Sequence, residues 1–450
     1  MDNDLQNKSL TYHSRPPAGK IGTRVTKSCR TQEDLSLAYS PGVAAPCRRI
    51  SDNPEEVWTY TGKANSVGVV SDGSAVLGLG DIGPDASLPV MEGKAVLFKY
   101  FADIDAVPLC LNPGTEPHSP KDTTAEELIH LIQAVEPSYG GINLEDIGSP
   151  QCFTVEQKLK DQMGIPVFHD DQHGTAIISL AGVLNALQIV GKQLGQAKIV
   201  VNGAGAAGIA CTDFYIAAGA KPENVIICDS KGVINKKRRE KLSPQKARLA
   251  SDTSAATLEE ALCDADVFLG LSVKDCVTQE MVRSMAPDPI IFAMANPDPE
   301  ITPASAVEAG AAVVGTGRTD YPNQVNNVLG FPGIFRGALD ARASMITEDM
   351  KVAAAKALAE LTSERIEGYP RDVLTKAYPQ DAAEGLFDGE NPLNAKYTIP
   401  KPFDPRVVPR VARRVFEAAC ACGAATAAQP TDMQNYEEEV FRRTCTSDAQ

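Results

Sequence analysis

The sequence predicts an α/β protein of two principal domains, one of them a Rossmann-like dinucleotide-binding unit, on three observations. Strand and helix patterns alternate along the chain, the order that builds parallel sheets through helical crossovers. With 450 residues the chain exceeds what one hydrophobic core usually holds. The run GAGAAG, residues 203 to 208, follows the apolar strand pattern KIVV and opens a helix. The expected divisions are 1–164 for the first domain, 165–410 for the dinucleotide-binding domain with a helical extension, and 411–450 for a C-terminal helix and tail.

Residues 1 to 50 are rich in Pro, Gly and Arg and show little helical or strand periodicity. SVGVVSDGSAVLGLG then reads as a hairpin turned at Asp72-Gly73. AVPLCLN reads as a strand and TTAEELIHLIQAV as a helix, capped by Thr124 with Glu127 closing the box and with Leu128, Ile129, Leu131, Ile132 and Val135 as its apolar stripe. GGINLED is a strand, CFTVEQKLKDQM a helix and GIPVFHDD a further strand. Residues 174 to 191 read as a buried helix. TSAATLEEALCDADVFLGL reads as helix then strand, PIIFAMANPDPE as a strand ending in a polar turn, and DMKVAAAKALAELTSE as a helix. The polar tail beyond about residue 425 is expected to be loosely held or used at a surface.

A formal net charge of −15 argues against nucleic acid or an anionic membrane as a partner. The first ten residues are polar and carry no secretory signal pattern, and the longest apolar stretch, AIISLAGVLNALQIV, is interrupted by Asn185 and too short to span a bilayer. Eleven cysteines without a C-x-x-C pair suit reduced thiols, so a cytoplasmic setting is expected.

Two strands joined by one helical crossover are parallel, so Glu145-Asp146 and Asp170-Asp171 should reach the same sheet edge. Adjacent strand residues point to opposite faces, and the four acids converge only if each pair lies just past its strand, where Gly148 and Gly174 permit turns. Carboxylates brought so close repel unless a cation joins them, and oxygen ligands without thiolates select Mg²⁺ or Mn²⁺. The plainer alternative is one pair capping a helix and the other solvated. His169 and His173 read as supporting or core histidines.

Gly203, Gly205 and Gly208, with Ala204, Ala206 and Ala207 between them, complete the G-x-G-x-x-G pattern, and Asp229 ends the next strand, NVIICD. A nicotinamide dinucleotide is expected there, the alternative being a merely structural glycine-rich turn. Asp229 would bond the ribose hydroxyls of NAD, whereas Ser230, Lys231 and the basic run KKRREK (236–241) offer cations for the 2′-phosphate of NADP. NADP is slightly preferred; a solvated loop is the alternative for the run. Lys94 in PVMEGKAVLFKYF stands at the start of an apolar helix, where partial burial would lower its pKa and make it a usable base; taken alone, a surface lysine is the more common reading. Tyr39, before a Ser-Pro-Gly turn, could line a site or a core.

Together these stretches resemble the malic enzymes, in particular their short bacterial-type branch. The resemblance runs through TQEDLSLAYSPGVAAPC, DGSAVLGLGDIGP, MEGKAVLFK, INLEDI, FHDDQHGTA, GAGAAG, FAMANPDPE, NQVNNVLGFPG and PKPFDPR, in the family's order and over most of the chain. It implies an N-terminal malic-enzyme domain followed by the Rossmann-like domain, and oxidative decarboxylation of L-malate to pyruvate and CO₂ with reduction of NADP or NAD. It further implies Tyr39 as general acid, Lys94 as general base in contact with substrate, and Glu145, Asp146 and Asp171 as metal ligands. Asn296 and Asn327 would contact substrate, Asn296 also lying against the cofactor, and Asp170 would orient Lys94. A homodimer or dimer of dimers is implied, with the segment around Tyr39 completing the partner's site.

Two departures from the family stand out. Ala75 occupies the stretch where larger eukaryotic relatives carry an arginine. Some bacterial relatives continue after the PKPFDPR stretch into a phosphotransacetylase-like domain, whereas this chain ends at residue 450, so regulation through such a domain is not expected. The competing functions are a malolactic-type lyase that returns the hydride to give lactate, and a catalytically silent paralogue.

Overall fold

The structure is a computed structural model that describes residues 3–76, 79–112 and 125–445. Its first sheet has four strands, β1 (Ser66–Ser71), β2 (Asp105–Cys110), β3 (Gly141–Leu144) and β4 (Val167–His169), in the order β2-β1-β3-β4 and all parallel. The second has six, β5 (Ile199–Asn202), β6 (Val225–Asp229), β7 (Gly232–Val233), β8 (Val267–Gly270), β9 (Ile290–Ala293) and β10 (Val313–Thr316). Their order is β10-β9-β8-β5-β6-β7, parallel except for β7. Strands β3, β4, β5, β8 and β9 are buried along their whole length, as parallel strands covered on both faces must be.

Each helix needed to place the site follows from its apolar spacing and its ends. Helix α1 (Gln32–Ala38) is capped by Thr31 with Asp34 closing the box. Helix α2 (Pro84–Ala102) starts with Pro84 after Gly83 and buries Met91, Ala95, Phe98 and Ala102 on one face. Helix α3 (Ala125–Val135) buries Leu128, Ile129 and Ile132; its expected cap, Thr124, lies outside the described residues. Helix α4 (Gln151–Gln162) is the crossover from β3 to β4, and α5 (Asp170–Ile189) leaves β4 without a linker. Helix α6 (Ala206–Ala217) follows β5.

Four later helices, α7 (Phe331–Asp340), α8 (Glu348–Thr362), α9 (Val407–Ala421) and α10 (Met433–Cys445), close the back of the molecule. Phe331 and Phe335 of α7 pack on Phe98 of α2 with ring centroids 4.7 and 5.2 Å apart. One apolar core runs from Val67 and Val69 through Phe98 and Phe168 to Ile199, Val201 and Ile290, so the two sheets share an interior. Among the described residues no helix is long and apolar enough to cross a membrane.

Several expectations are corrected. The stretch after Asp72-Gly73 is not the second strand of a hairpin: β1 pairs in parallel with β2 and β3, and only an isolated bridge joins Val76 to Gly80 (Leu77 and Gly78 lie outside the described residues). Strand β4 belongs to the first sheet, beyond the division expected at residue 164. The N-terminal arm holds helices, among them Asn3–Ser14 and Ala44–Asp52, in which none of the described side chains is buried, so they lack the core-facing apolar stripe by which a helix is read from sequence. The tail is docked: α10 buries Met433, Tyr436 and Val440, Tyr436 donates to Asp340 at 2.8 Å, and Arg443 reaches Asp103 at 2.8 Å.

Candidate active site

Lys94 stands in the middle of α2, not at its start, and shares the buried face because it follows Met91 by three residues and precedes Phe98 by four. Its side chain is 10% exposed. Nζ donates to Asp170 Oδ2 at 2.6 Å, lies 2.8 Å from Glu145 Oε1 and sits 4.3 Å above the Phe331 ring. Burial alone would lower the lysine's pKa, as expected from the sequence, but Asp170 and Glu145 outweigh it and hold the group above its ordinary value.

The carboxylates arrive as parallel strand order requires. Leu144 of β3 is opposite His169 of β4, so the residues that follow each strand emerge side by side. Asp170 and Asp171 form the first turn of α5, where the helix dipole favours negative charge. Gly174 is therefore not a turn residue; it lies inside α5, and a Cβ there would come within 2.4 Å of Asp170 Oδ1 and 2.6 Å of Asn327 Cγ. Asp146 takes a left-handed φ of 56°. Its carbonyl accepts from the Ala75 N–H at 3.0 Å and Ser74 Oγ accepts from the Gly148 N–H at 2.8 Å, so the DGSA turn clamps the loop that carries Asp146.

Glu145, Asp146 and Asp171 each offer an oxygen within 4.8 Å of the others. Burial and the nearby Asp171 and Asp170 push Glu145 up against the pull of Lys94, and partial burial together with the charge of Asp146 raises Asp171, whose side chain is 39% exposed. Such crowding of like charge is relieved by a hard divalent cation, and an all-oxygen donor set fits Mg²⁺ or Mn²⁺. Neither histidine joins the set: His169 is buried, and His173 bonds Glu156 at 2.7 Å and Lys351 at 3.1 Å. Burial pushes both rings down to about 4 and keeps them neutral.

Asn327 Nδ2 donates to Asp170 Oδ2 at 3.2 Å, and its Oδ1 accepts from Thr175 at 3.4 Å. Lys94, Asp170, Asn327 and the three acids are thus one cluster. Tyr39 is not part of it within the chain: it caps the end of α1 and is 72% exposed. Asn296 is exposed at the exit of β9. Two supporting residues escape the sequence reading. Asn143 donates to Glu145 Oε2 at 2.9 Å, its signal being a polar residue inside an apolar strand. Buried Glu300 accepts from the N–H groups of Ser272 at 2.8 Å and Ala295 at 3.0 Å, tying the exit of β8 to the turn that carries Asn296.

The dinucleotide turn lies between β5 and α6, where β6 and β8 flank β5 on opposite sides and leave a crevice at their C-terminal ends. Gly203 has φ 119° and a Cβ would meet Leu271 O at 2.1 Å; at Gly208 it would meet Gly203 O at 1.7 Å. A Cβ on Gly205 would meet nothing within 4 Å, which leaves room for a pyrophosphate against the backbone between Gly203 and Gly208, lined by Ala204, Ala206 and Ala207. Asp229 ends β6, followed by exposed Ser230 and Lys231.

The family description "Malic enzyme, N-terminal domain" matches residues 18–160, and "Malic enzyme, NAD binding domain" matches residues 172–373. The chain belongs to the malic enzyme family. It is 54% identical over 422 residues to a probable NADP-dependent malic enzyme of Rickettsia prowazekii (strain Madrid E), which covers 93% of this chain and 52% of that protein. It is 49% identical over 425 residues to a bifunctional malic/malolactic enzyme of Bacillus subtilis (strain 168), covering 94% of each. The chain therefore spans about half the length of the first relative and nearly all of the second. The crystal structure of malic enzyme from Pyrococcus horikoshii superposes with a TM-score of 0.87 at 41% identity, covering 99% of this chain and 97% of that one. In this malic-enzyme frame the cluster straddles the two matches: Lys94, Glu145 and Asp146 fall in the first, and Asp170 and Asp171 lie between them.

Proposed function

We propose that this chain oxidatively decarboxylates L-malate to pyruvate and CO₂, with reduction of NADP or NAD and a requirement for Mg²⁺ or Mn²⁺. The observation that carries the reading is a buried lysine joined to a three-carboxylate cation cradle in a chain that also has the dinucleotide turn. Glu145, Asp146 and Asp171 would hold the metal, and the backbone of residues 203 to 208 the pyrophosphate. When bound, the dinucleotide supplies the hydride acceptor and the cation the positive charge that draws electrons toward the C2 oxygen. Lys94, protonated in the folded chain, first passes its proton to Asp170 at 2.6 Å and then, as the neutral amine, takes the proton of the C2 hydroxyl. Asn327 and Asn296 hold the substrate's carboxylates. Once the bond from C3 to the departing CO₂ has broken, Tyr39 protonates C3.

Because Tyr39 is exposed while Lys94 is buried, the reading includes a homodimer, or a dimer of dimers, in which Tyr39 of one chain completes the site of the other. The eleven unpaired cysteines favour the cytoplasm as its setting. The test is the initial rate of reduced-dinucleotide formation from L-malate and Mn²⁺, with NADP⁺ and NAD⁺ in parallel. Net reduction that stops on chelation of the metal is the expected result. The Bacillus relative's name favours a second reading, malolactic conversion; lactate formed without net reduction would establish it, and no turnover by folded protein would leave a silent paralogue.

A further inference from the structure

Strands β1, β3 and β4 are neighbours and end at one edge, and the turn that follows β1 is fastened on both sides. The Gly73 carbonyl accepts from the N–H groups of Ile82 and Gly83, each at 3.1 Å, directly before α2, the helix of Lys94. On the other side the Ala75 N–H donates to the Asp146 carbonyl at 3.0 Å, and the Gly148 N–H donates to Ser74 Oγ at 2.8 Å. The turn thus joins the helix that carries the lysine to the loop that carries one acid of the cradle.

The Ser74 hydroxyl works in both directions. It donates to Asp72 Oδ1 at 2.6 Å, and the Ser74 N–H donates to the same oxygen at 3.0 Å. With its proton directed to the carboxylate, the hydroxyl keeps its lone pairs for the Gly148 N–H. Asp72 is 3% exposed, and the bonds it accepts from Ser74 pull against the cost of burying its carboxylate. What this chain of bonds restrains does not rest easily by itself. Asp146 has a left-handed φ of 56°, uncommon for a residue other than glycine, and its carboxylate stands among like charges. In that conformation the Asp146 N–H donates to Asp171 Oδ2 at 2.7 Å, so the backbone of one acid orients the side chain of another.

We infer that Ser74, aimed by Asp72, is a positioning residue for the cation cradle, and that it sets the metal affinity by holding the loop of Asp146 in place before the ion arrives. The inference rests on the metal reading above and deepens it. A loop free to relax the repulsion among its acids would have to be ordered again on binding, and that ordering would weaken the affinity; a loop already fastened avoids the loss. Groups that orient the ligands of a metal change its affinity by about tenfold to a hundredfold.

The test titrates the metal-free full chain with Mn²⁺ by calorimetry, without malate or dinucleotide, and records the melting temperature in chelator. Ser74→Ala is expected to weaken Mn²⁺ binding about tenfold to a hundredfold while melting close to the wild type. Ser74→Thr, which keeps the hydroxyl at a half-buried position, is expected to bind nearly as tightly as the wild type. Wild-type affinity in Ser74→Ala, equal weakness in Ser74→Thr, or a loss of affinity matched by a loss of melting temperature overturns the inference. Asp72→Leu, which keeps the branched shape without the acceptor oxygens, gives an independent reading should Ser74→Ala not fold: weaker Mn²⁺ binding supports the positioning role, and unchanged binding overturns it. If the folded wild-type chain takes up no Mn²⁺, the metal reading itself fails, whereas normal wild-type uptake with an indifferent Ser74→Ala removes the inference alone.

Discussion

Lys94 keeps its proton because two carboxylates within 2.8 Å compensate for its removal from water. The same closeness costs the carboxylates. Burial and the crowding of like charge hold folded Glu145 and Asp171 above the ordinary range for unfolded carboxyl groups. The metal-free folded protein therefore binds more protons than the unfolded chain from the ordinary carboxyl range, about pH 4, upward, so the stability these groups contribute is fully present at low pH and is lost progressively until it is gone by about pH 8. A cation relieves the repulsion. Mn²⁺ is expected to raise the melting temperature more at about pH 8 than at about pH 5; a shift independent of pH, followed by thermal denaturation, would contradict the cradle. At this scale the sequence names the acids readily but not the direction of the lysine's shift, which depends on partners far along the chain.

Helix α5 is the element on which the site turns. It starts directly at Asp170, presents its first-turn acids to the end of β3, and brings Gly174 under Asn327. A glycine inside a helix costs about 0.5–1 kcal/mol relative to alanine, which makes sense where a methyl group would collide with the working residues. Gly174→Ala is expected to keep the melting temperature near that of the wild type, because the helix gains what packing loses, while kcat falls about tenfold to a hundredfold as Asp170 and Asn327 are pushed apart. Unchanged kcat would show that the close approach is incidental. Helix α5 was legible as a buried apolar run, yet Gly174 looked like a turn because glycine signals both bends and close contacts.

Across the whole molecule, the proposed function pairs the exposed N-terminal arm of one chain with the buried lysine of its partner. With sites shared across a two-fold dimer, inactive Tyr39→Phe and Lys94→Ala chains should regain up to about a quarter of wild-type activity after random subunit exchange, since half the dimers would be mixed and each would hold one intact site. Exchange without recovery, measured on chains shown to mix, would confine each site to one subunit. The docked α10 belongs to this scale too: Arg443 and Tyr436 tie the end of the described chain to Asp103 and Asp340. Truncation before α10 would uncover that apolar face.

The sequence by itself determined what neighbours along the chain decide: strand, glycine turn, helix and acid in the dinucleotide unit, and two acid pairs brought to one edge by a right-handed crossover. It also carried enough ordered motifs to identify the family. Only the tertiary structure decided that Asn327 bonds Asp170 from 157 residues away, that Lys94 faces two carboxylates, that Tyr39 stands outside its own chain's cluster, and that Ser74 accepts the Gly148 N–H beside Asp146. The physical reason is that periodicity and turn chemistry report short-range backbone preferences. Pairings across elements are set by how the helices and sheets pack, and a charged side chain shows its role only when the groups around it are known.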